Sequence, residues 1–343
     1  EFYMKRCIEL AKNGLGTTYP NPLVGSVIVH DGKIIGEGWH KKAGEPHAEV
    51  NAVNSVKDKS LLKEATIYVS LEPCSHFGKT PPCCDLIIAN KIPNVVVGTV
   101  DPFAKVAGNG IKKLVESGKN VTVGILEDEC NKLNKRFFTF HQKKRPFIIL
   151  KWAETADGFI APISREEKSP VWITNPYSRQ LVHKWRTEEQ AILVGTNTVL
   201  DDNPKLDTRD FSGNNPIRIV LDKSGKISEN YHVKNNSQKT IFITESENFI
   251  STENCIYENA IFDINLIPSI CTILYQNDIQ SVIIEGGSKT LQSFIDANLW
   301  DEARVFIGQT TFQNGTLAPA FSGNSVAGFD IMNDELKIFK NYD

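Results

Sequence analysis

The chain has 343 residues and 38.3 kDa, roughly twice the usual single domain, so two domains are the default expectation. Apolar residues make up 41% and charged residues 23%, which argues against long disorder, and no run approaches the roughly 20 apolar residues of a membrane span. The net charge of -3 hides an asymmetry: residues 1–145 carry 21 Lys+Arg against 15 Asp+Glu, whereas residues 146–343 carry 17 against 26. The mildly basic first half suits a phosphorylated ligand, and chance surface variation accounts for it about as well. Three of the seven cysteines (Cys74, Cys83, Cys84) crowd into eleven residues, which points to metal chemistry in a reducing, cytoplasmic setting rather than to a disulfide framework. No basic, apolar, small-residue leader opens the sequence.

In chain order, Met4–Asn13 has helical apolar spacing and is broken by Tyr19-Pro-Asn-Pro22. Val24–His30 and Lys33–Trp39 are β-rich and joined by Asp31-Gly32, the signature of a tight hairpin. Pro46 opens an expected helix over His47–Val56, Thr66–Leu71 reads as a strand, and a second helix starts near Pro82 and runs through Ile88. Val95–Val100 is a further strand and Gly110–Ser117 a further helix. The charged stretch Gln142–Pro146 is the expected domain boundary. Beyond it come strand Phe147–Trp152, helix Tyr177–Thr187, strands Ala191–Val194, Ile217–Leu221, Thr240–Thr244 and Ser281–Glu285, and helix Lys289–Ala297; the polar Asn230–Gln238 reads as a loop. The alternation predicts α/β layered domains with mixed sheets.

The chemistry of the first half sits in His47-Ala-Glu49, Pro73-Cys74 and Pro82-Cys83. One imidazole and two thiolates are three zinc ligands, leaving a fourth tetrahedral position for water. Helix N-termini beside the cysteines favour thiolates. Glu49 lies two residues past His47, roughly 200° round a helix, which sets it beside the metal as a proton carrier rather than a ligand. His-x-Glu followed by Pro-Cys-x-x-Cys is the signature of zinc deaminases, from which this chain departs by eight residues between the cysteines. A closed zinc site with Cys84 or His76 as fourth ligand is the bland alternative, and Cys84 is expected to be a buried apolar residue.

His-Ala-Glu-Val (47–50), Tyr-Val-Ser-Leu-Glu-Pro-Cys-Ser-His-Phe-Gly-Lys-Thr-Pro-Pro-Cys (68–83) and Asp-Pro…Val-Ala-Gly-Asn-Gly (101–110) resemble the bifunctional deaminase/reductase family of riboflavin biosynthesis, which carries this long insert. The resemblance implies hydrolytic deamination of a diaminopyrimidinone with a phosphoribosylamino arm. It assigns Glu49 to catalysis, His47, Cys74 and Cys83 to zinc, and Asn21, His40, His76 and Lys79 to the substrate.

In the second half no Gly-x-Gly-x-x-Gly follows a strand, but strand Ser281–Glu285, turn Gly286-Gly287 and a helix from Ser288 form another phosphate cradle. With Lys151-Trp-Ala-Glu-Thr-Ala-Asp-Gly158, Trp172-Ile-Thr and Ala191–Pro204 followed by Arg209, it resembles the reductase half of the same family, which is dihydrofolate-reductase-like in fold and uses NADPH. By that resemblance Ala153, Trp172, Thr198, Asp202, Gly287, Ser288, Lys289, Thr290, Leu291, Gln292 and Ser293 line the NADPH site. Asp157, Pro170, Arg186, Leu206, Arg209 and Glu285 hold the substrate. Pro170 stands where a substrate-contacting serine is common, and Thr155-Ala156 replaces the family's usual Ser-Leu.

The expected architecture is therefore a cytidine-deaminase-like α/β/α domain over 1–145 and a dihydrofolate-reductase-like α/β domain over 146–343. The expected partners are one zinc per chain, NADPH and a small phosphoribosylated pyrimidine, with no nucleic acid, no membrane, and homo-oligomerisation. A nucleic-acid editing deaminase with an appended domain needs a basic, aromatic-interleaved surface, and the one basic cluster is Lys143-Lys-Arg145. A zinc-stabilised, non-enzymatic scaffold is the other alternative; nicotinamide oxidation during turnover excludes it.

Overall fold

In the computed structural model, which describes residues 1–77, 81–103, 107–164 and 171–341, the chain divides into two compact units, Glu1–Lys144 and Arg145–Asp343. In the first, a five-stranded sheet contains β1 (Gly25–His30), β2 (Lys33–Trp39), β3 (Thr66–Leu71), β4 (Asn94–Thr99) and β5 (Asn120–Val123) in the order β2-β1-β3-β4-β5. β1 is antiparallel to β2 and β3, and β3, β4 and β5 run parallel. Its helices are α1 (Phe2–Lys12), α2 (Ala48–Ser55), α3 (Cys83–Ala89), α4 (Asn109–Glu116), α5 (Glu127–Leu133) and α6 (Lys135–Lys143).

The period of two along β1 splits its side chains between two cores. Ile28 packs with Val53, Ile67, Val95 and Leu114, whereas Val27 and Val29 pack with Met4, Cys7 and Cys130. The sheet is thus buried on both faces, and α2, α3 and α4 are fixed by one of its two cores.

The second unit is built on a nine-stranded sheet. It uses β6 (Phe147–Glu154), β8 (Ala191–Gly195), β9 (Ile217–Leu221), β10 (Thr240–Thr244), β11 (Cys255–Asn259), β12 (Ser281–Ile284), β13 (Glu302–Ile307), β15 (Ser325–Ile331) and β16 (Asp334–Lys340). The order is β11-β10-β9-β8-β12-β6-β13-β16-β15, parallel from β11 through β13 and closed by the antiparallel pair β16 and β15. A separate pair joins β7 (Phe159–Pro162) to β14 (Gly315–Leu317). The helices are α7 (Pro176–Glu188), α8 (Thr196–Asp202), α9 (Leu266–Gln276) and α10 (Ser288–Asp296).

Central parallel strands buried on both faces read as unbroken apolar runs, and Phe147–Leu150, Ala191–Val194 and Val282–Ile284 do so. The chain leaves β8 through α8 and leaves its sheet neighbour β12 through α10, so two helix N-termini lie side by side at one sheet edge. In open α/β sheets this edge is where ligands bind. The helices α5, α6, α8 and α9 and the strands β5, β7, β11, β13, β14, β15 and β16 were not among the expected elements. α8 is Thr-Asn-Thr-Val-Leu-Asp-Asp, a composition poor in helix formers, and its helicity comes from the strand behind it.

Candidate active sites

The zinc constellation is assembled by three different segments. His47 is the N-cap of α2, Cys74 follows the end of β3, and Cys83 is the first residue of α3. His47 Nδ1 lies 3.3 Å from Cys83 Sγ and 3.6 Å from Cys74 Sγ, and the three ligand atoms all lie within 4.8 Å of one another. Tetrahedral zinc with Zn–N near 2.0 Å and Zn–S near 2.3 Å requires ligand atoms about 3.5–3.8 Å apart. The donor set fits in both chemistry and spacing.

The Cys83 backbone N–H donates to Cys74 Sγ (3.3 Å), bringing the α3 N-terminus to bear on that sulfur. A hydrogen bond from the Cys83 side chain holds Cys74 well below its ordinary value, and the same bond and burial push Cys83 upward. His47 is raised by its bond to Cys74. Glu49, in the first turn of α2, is 3% exposed; burial and then the Cys74 charge raise its carboxyl, while its contact with the Cys83 side chain lowers it. A carboxylate so placed can take a proton from water and return it to a leaving amine.

His40 is buried and edge-on to His47, with ring centroids 5.3 Å apart. Its Nδ1 donates to the Pro46 carbonyl (3.2 Å), which leaves Nε2 to accept from Asn21 Nδ2 (3.0 Å). Asn134 fastens the segment beside Asn21 by accepting from Leu23 N–H and donating to the Leu23 carbonyl. His76 is exposed, and Lys79 and Pro170 lie outside the described residues. Cys84 is fully buried and donates to the Pro73 carbonyl at 3.2 Å.

In the second unit the side chains at the cradle sort themselves by face. Thr290 sits against both Gly195 and Gly286, where an added Cβ would come within 2.8 Å and 2.6 Å of it, and Thr198 is the neighbour of Gly287. Asp202 lies one turn beyond Thr198 on the same face of α8. Of the run Gly287–Ser293, Leu291 points into the core, Gln292 bonds to Ala320, and Ser293 donates to the Lys289 carbonyl. Trp172 is half exposed, with the Arg179 guanidinium 4.5 Å from its ring centroid.

Beside the cradle, Glu285 is held bidentately by Arg186 (2.9 and 3.2 Å) and faces Lys151 Nζ at 3.8 Å. Burial would raise Glu285, but Arg186 and Lys151 prevail and hold it at about 2. Burial lowers Lys151, with Glu285 opposing. Arg186 also donates to the Asp207 carbonyl, and Arg209 pairs with the Asp207 carboxylate at 2.6 Å. Leu206 adopts a left-handed backbone (φ 55°) and buries its side chain among Ile192, Val194 and Val199, so it turns the chain toward this cluster while its side chain is core. Asp157 is committed elsewhere: it accepts from Thr155 Oγ1 and from the backbone N–H groups of Phe312 and Gln313.

Sequence reasoning passed over Lys151, His183 and Glu72. The signal for Lys151 is visible in retrospect, since a lysine interrupts the apolar run of a buried strand. His183 (4% exposed) and Glu72 become recognisable only through their neighbours.

An N-terminal unit with a His/Cys/Cys cluster and a buried glutamate, and a C-terminal unit whose parallel sheet ends in two neighbouring helix N-termini, have the make-up of a two-domain zinc deaminase and nucleotide-dependent reductase. Residues 1–99 match the family model for the cytidine and deoxycytidylate deaminase zinc-binding region, and residues 146–322 match the RibD C-terminal domain. The riboflavin biosynthesis protein RibD of Aquifex aeolicus is 42% identical over 91% of this chain and 88% of its own; that of Escherichia coli is 36% identical over 90% and 87%. A solved diaminohydroxyphosphoribosylaminopyrimidine deaminase/5-amino-6-(5-phosphoribosylamino)uracil reductase from Thermotoga maritima superposes with a TM-score of 0.89 at 40% identity, covering 99% of this chain and 97% of that one. RibD from Acinetobacter baumannii gives 0.89 at 30%, covering 100% and 98%. The chain belongs to the RibD family of bifunctional riboflavin-biosynthesis enzymes, with a zinc-binding deaminase domain and an NADPH-using reductase domain.

Proposed function

We propose that the substrate is 2,5-diamino-6-(5-phosphoribosylamino)pyrimidin-4(3H)-one, deaminated over residues 1–145 and then reduced over residues 146–343 to 5-amino-6-(5-phosphoribitylamino)uracil. The observation that carries this reading is the convergence of His47, Cys74 and Cys83 within 4.8 Å beside buried Glu49, in one chain with the Lys151–Glu285–Arg186 cluster. Zinc, held by His47, Cys74 and Cys83, supplies the Lewis acidity that makes water nucleophilic near neutral pH. Glu49 takes the proton of the attacking water and delivers it to the amine, so that water is consumed, ammonia leaves and a carbonyl remains. His40 and Asn21 hydrogen-bond the base edge, with His76 and Lys79 as further contacts.

NADPH supplies a hydride for the ribosyl carbon, and the second unit orients it. When NADPH is bound, Thr198, Gly287, Ser288 and Thr290 at the starts of α8 and α10 would hold its phosphates. Lys151, opposed to Glu285, provides a proton for the sugar oxygen as the ring opens, and Arg186 and Arg209 take the phosphate of the arm. By the family resemblance Ala153, Trp172 and Asp202 belong to the NADPH site and Asp157, Pro170 and Leu206 to the substrate site, where Asp157 and Leu206 act through the backbone they hold rather than by side-chain contact. The decisive experiment supplies the diaminopyrimidinone with and without NADPH and follows ammonia and nicotinamide absorbance. Ammonia release without NADPH, and NADPH oxidation only after deamination, is the expected result; NADPH oxidation with no ammonia would overturn the order.

We further propose a cytoplasmic homo-oligomer with no polynucleotide partner. Supporting this, β15 leaves a sheet edge with Val326 and Phe329 exposed, and no described helix is long and apolar enough to cross a membrane. Light scattering giving a monomer mass, or retention on polynucleotide at low salt, would count against it.

A further inference from the structure

Glu72, the residue before Pro73-Cys74, is 4% exposed and uses both carboxylate oxygens fully. Oε1 accepts the N–H groups of Gly110 (2.8 Å) and Ile111 (3.2 Å), and Oε2 accepts those of Gly108 (2.9 Å) and Asp101 (3.2 Å). Three of these donors belong to the N-terminus of α4, where a carboxylate is a natural cap. The fourth, Asp101, follows β4 and lies outside the helix, so Glu72 ties two chain segments together rather than one. Its own backbone N–H donates to the Thr99 carbonyl at 3.0 Å.

The link onward to the metal ligand is short and stiff. Pro73 fixes its own φ, so only one residue of restricted freedom separates Glu72 from Cys74. The Pro73 carbonyl accepts the Cys84 thiol at 3.2 Å, and an added Cβ on Gly110 would come within 2.1 Å of that carbonyl oxygen. The Cys84 N–H donates to the Cys74 carbonyl at 3.2 Å, and the Cys83 N–H to Cys74 Sγ at 3.3 Å. Cys74 is therefore held on one side by α3 and on the other, through Glu72, by Asp101 and α4.

We infer that Glu72 is a positioning residue for deamination: its carboxylate locks the Cys74 end of β3 to Asp101 and the α4 N-terminus, and so fixes where the Cys74 sulfur stands relative to His47 and Cys83. A plain cap of α4 would affect stability alone. The inference rests on Cys74 being a metal ligand.

The test is Glu72→Gln in the full chain, substituted with Co²⁺. Glutamine keeps the volume but turns an NH₂ group against N–H donors that had an acceptor. The expected results are a displaced thiolate-to-cobalt absorption band, zinc bound about 10–100-fold more weakly in chelator competition, and a fall in the deamination kcat of about tenfold or more. NADPH oxidation with supplied deaminated intermediate reports on the second unit of the same chain and stays at the wild-type rate. Where Glu72→Gln does not fold, Glu72→Asp decides, because it keeps the charge and shortens the reach; the same band and affinity shift, by less. A wild-type cobalt spectrum and zinc affinity in a folded variant, with only a lower melting temperature, overturns the proposal. Separately, an unchanged thiolate band in Cys74→Ala removes the ligand reading itself, and the positioning role with it.

Discussion

At the scale of single residues, environment decides function more than identity does. Cys83 and Cys84 are adjacent and both fully buried, yet one sulfur faces His47 at 3.3 Å while the other donates to the Pro73 carbonyl. Cys83→Ala should lose zinc in metal analysis, whereas Cys84→Ala should retain it; equal loss would remove the assignment. Glu49→Gln changes protonation chemistry with little change of shape. General acid–base groups contribute about 10²–10⁴-fold, so ammonia release should fall by at least that range. Zinc content and reduction of supplied intermediate should hold, and normal deamination with zinc lost would instead make Glu49 a ligand.

At the scale of elements, α7 shows how a helix is placed to deliver side chains. Asn175 caps it by accepting from the Tyr177 and Ser178 N–H groups, and its amide donates to the Ile331 carbonyl. Asp334 reinforces the join, accepting from Asn175 N–H and Ser178 Oγ. Pro176 at the first helical position adds a preset φ. This cap sets the register that brings Arg186 onto Glu285 eleven residues after Asn175. Asn175→Ala should cost about 1–2 kcal/mol, read as a lower melting transition of the second unit. A shift of no more than a few tenths of that would show that the packing of Val182 and Trp185, rather than the cap, places the helix.

At the scale of the whole molecule, acid should destabilise the second unit through two buried groups. Burial, with Arg186 and Arg209 nearby, pushes His183 down to about 4, so the unfolded chain binds a proton there that the folded chain refuses. Stability therefore falls as pH drops from about 6.5 to about 4, by at most about 1.4 kcal/mol per pH unit for one group. Glu285, held at about 2 against an ordinary 4.5, contributes stability present above about 4.5 and lost as pH falls toward 2. Both act in the same direction. Denaturant titrations from pH 7 to 4 should show a shallower loss in His183→Asn than in wild type, and equal slopes would remove His183 from the account.

The sequence by itself determined the two-part α/β architecture, because alternating apolar runs, a hairpin turn and helix-opening prolines are local signals. It also determined the kind of chemistry, since His-x-Glu with spaced Pro-Cys pairs names donors suited to zinc regardless of where the chain takes them. Short elements such as α8 and the exposed β15 were not legible; their residues have weak local preference, and neighbouring strands make them form. Contacts separated by long stretches of chain were equally hidden. Glu72 meeting Asp101 and α4, Lys151 meeting Glu285, and Leu206 turning inward to the core depend on which strands lie side by side. Sheet order fixes that, and sheet order is settled by the burial of both faces at once, a condition that no local stretch of sequence expresses.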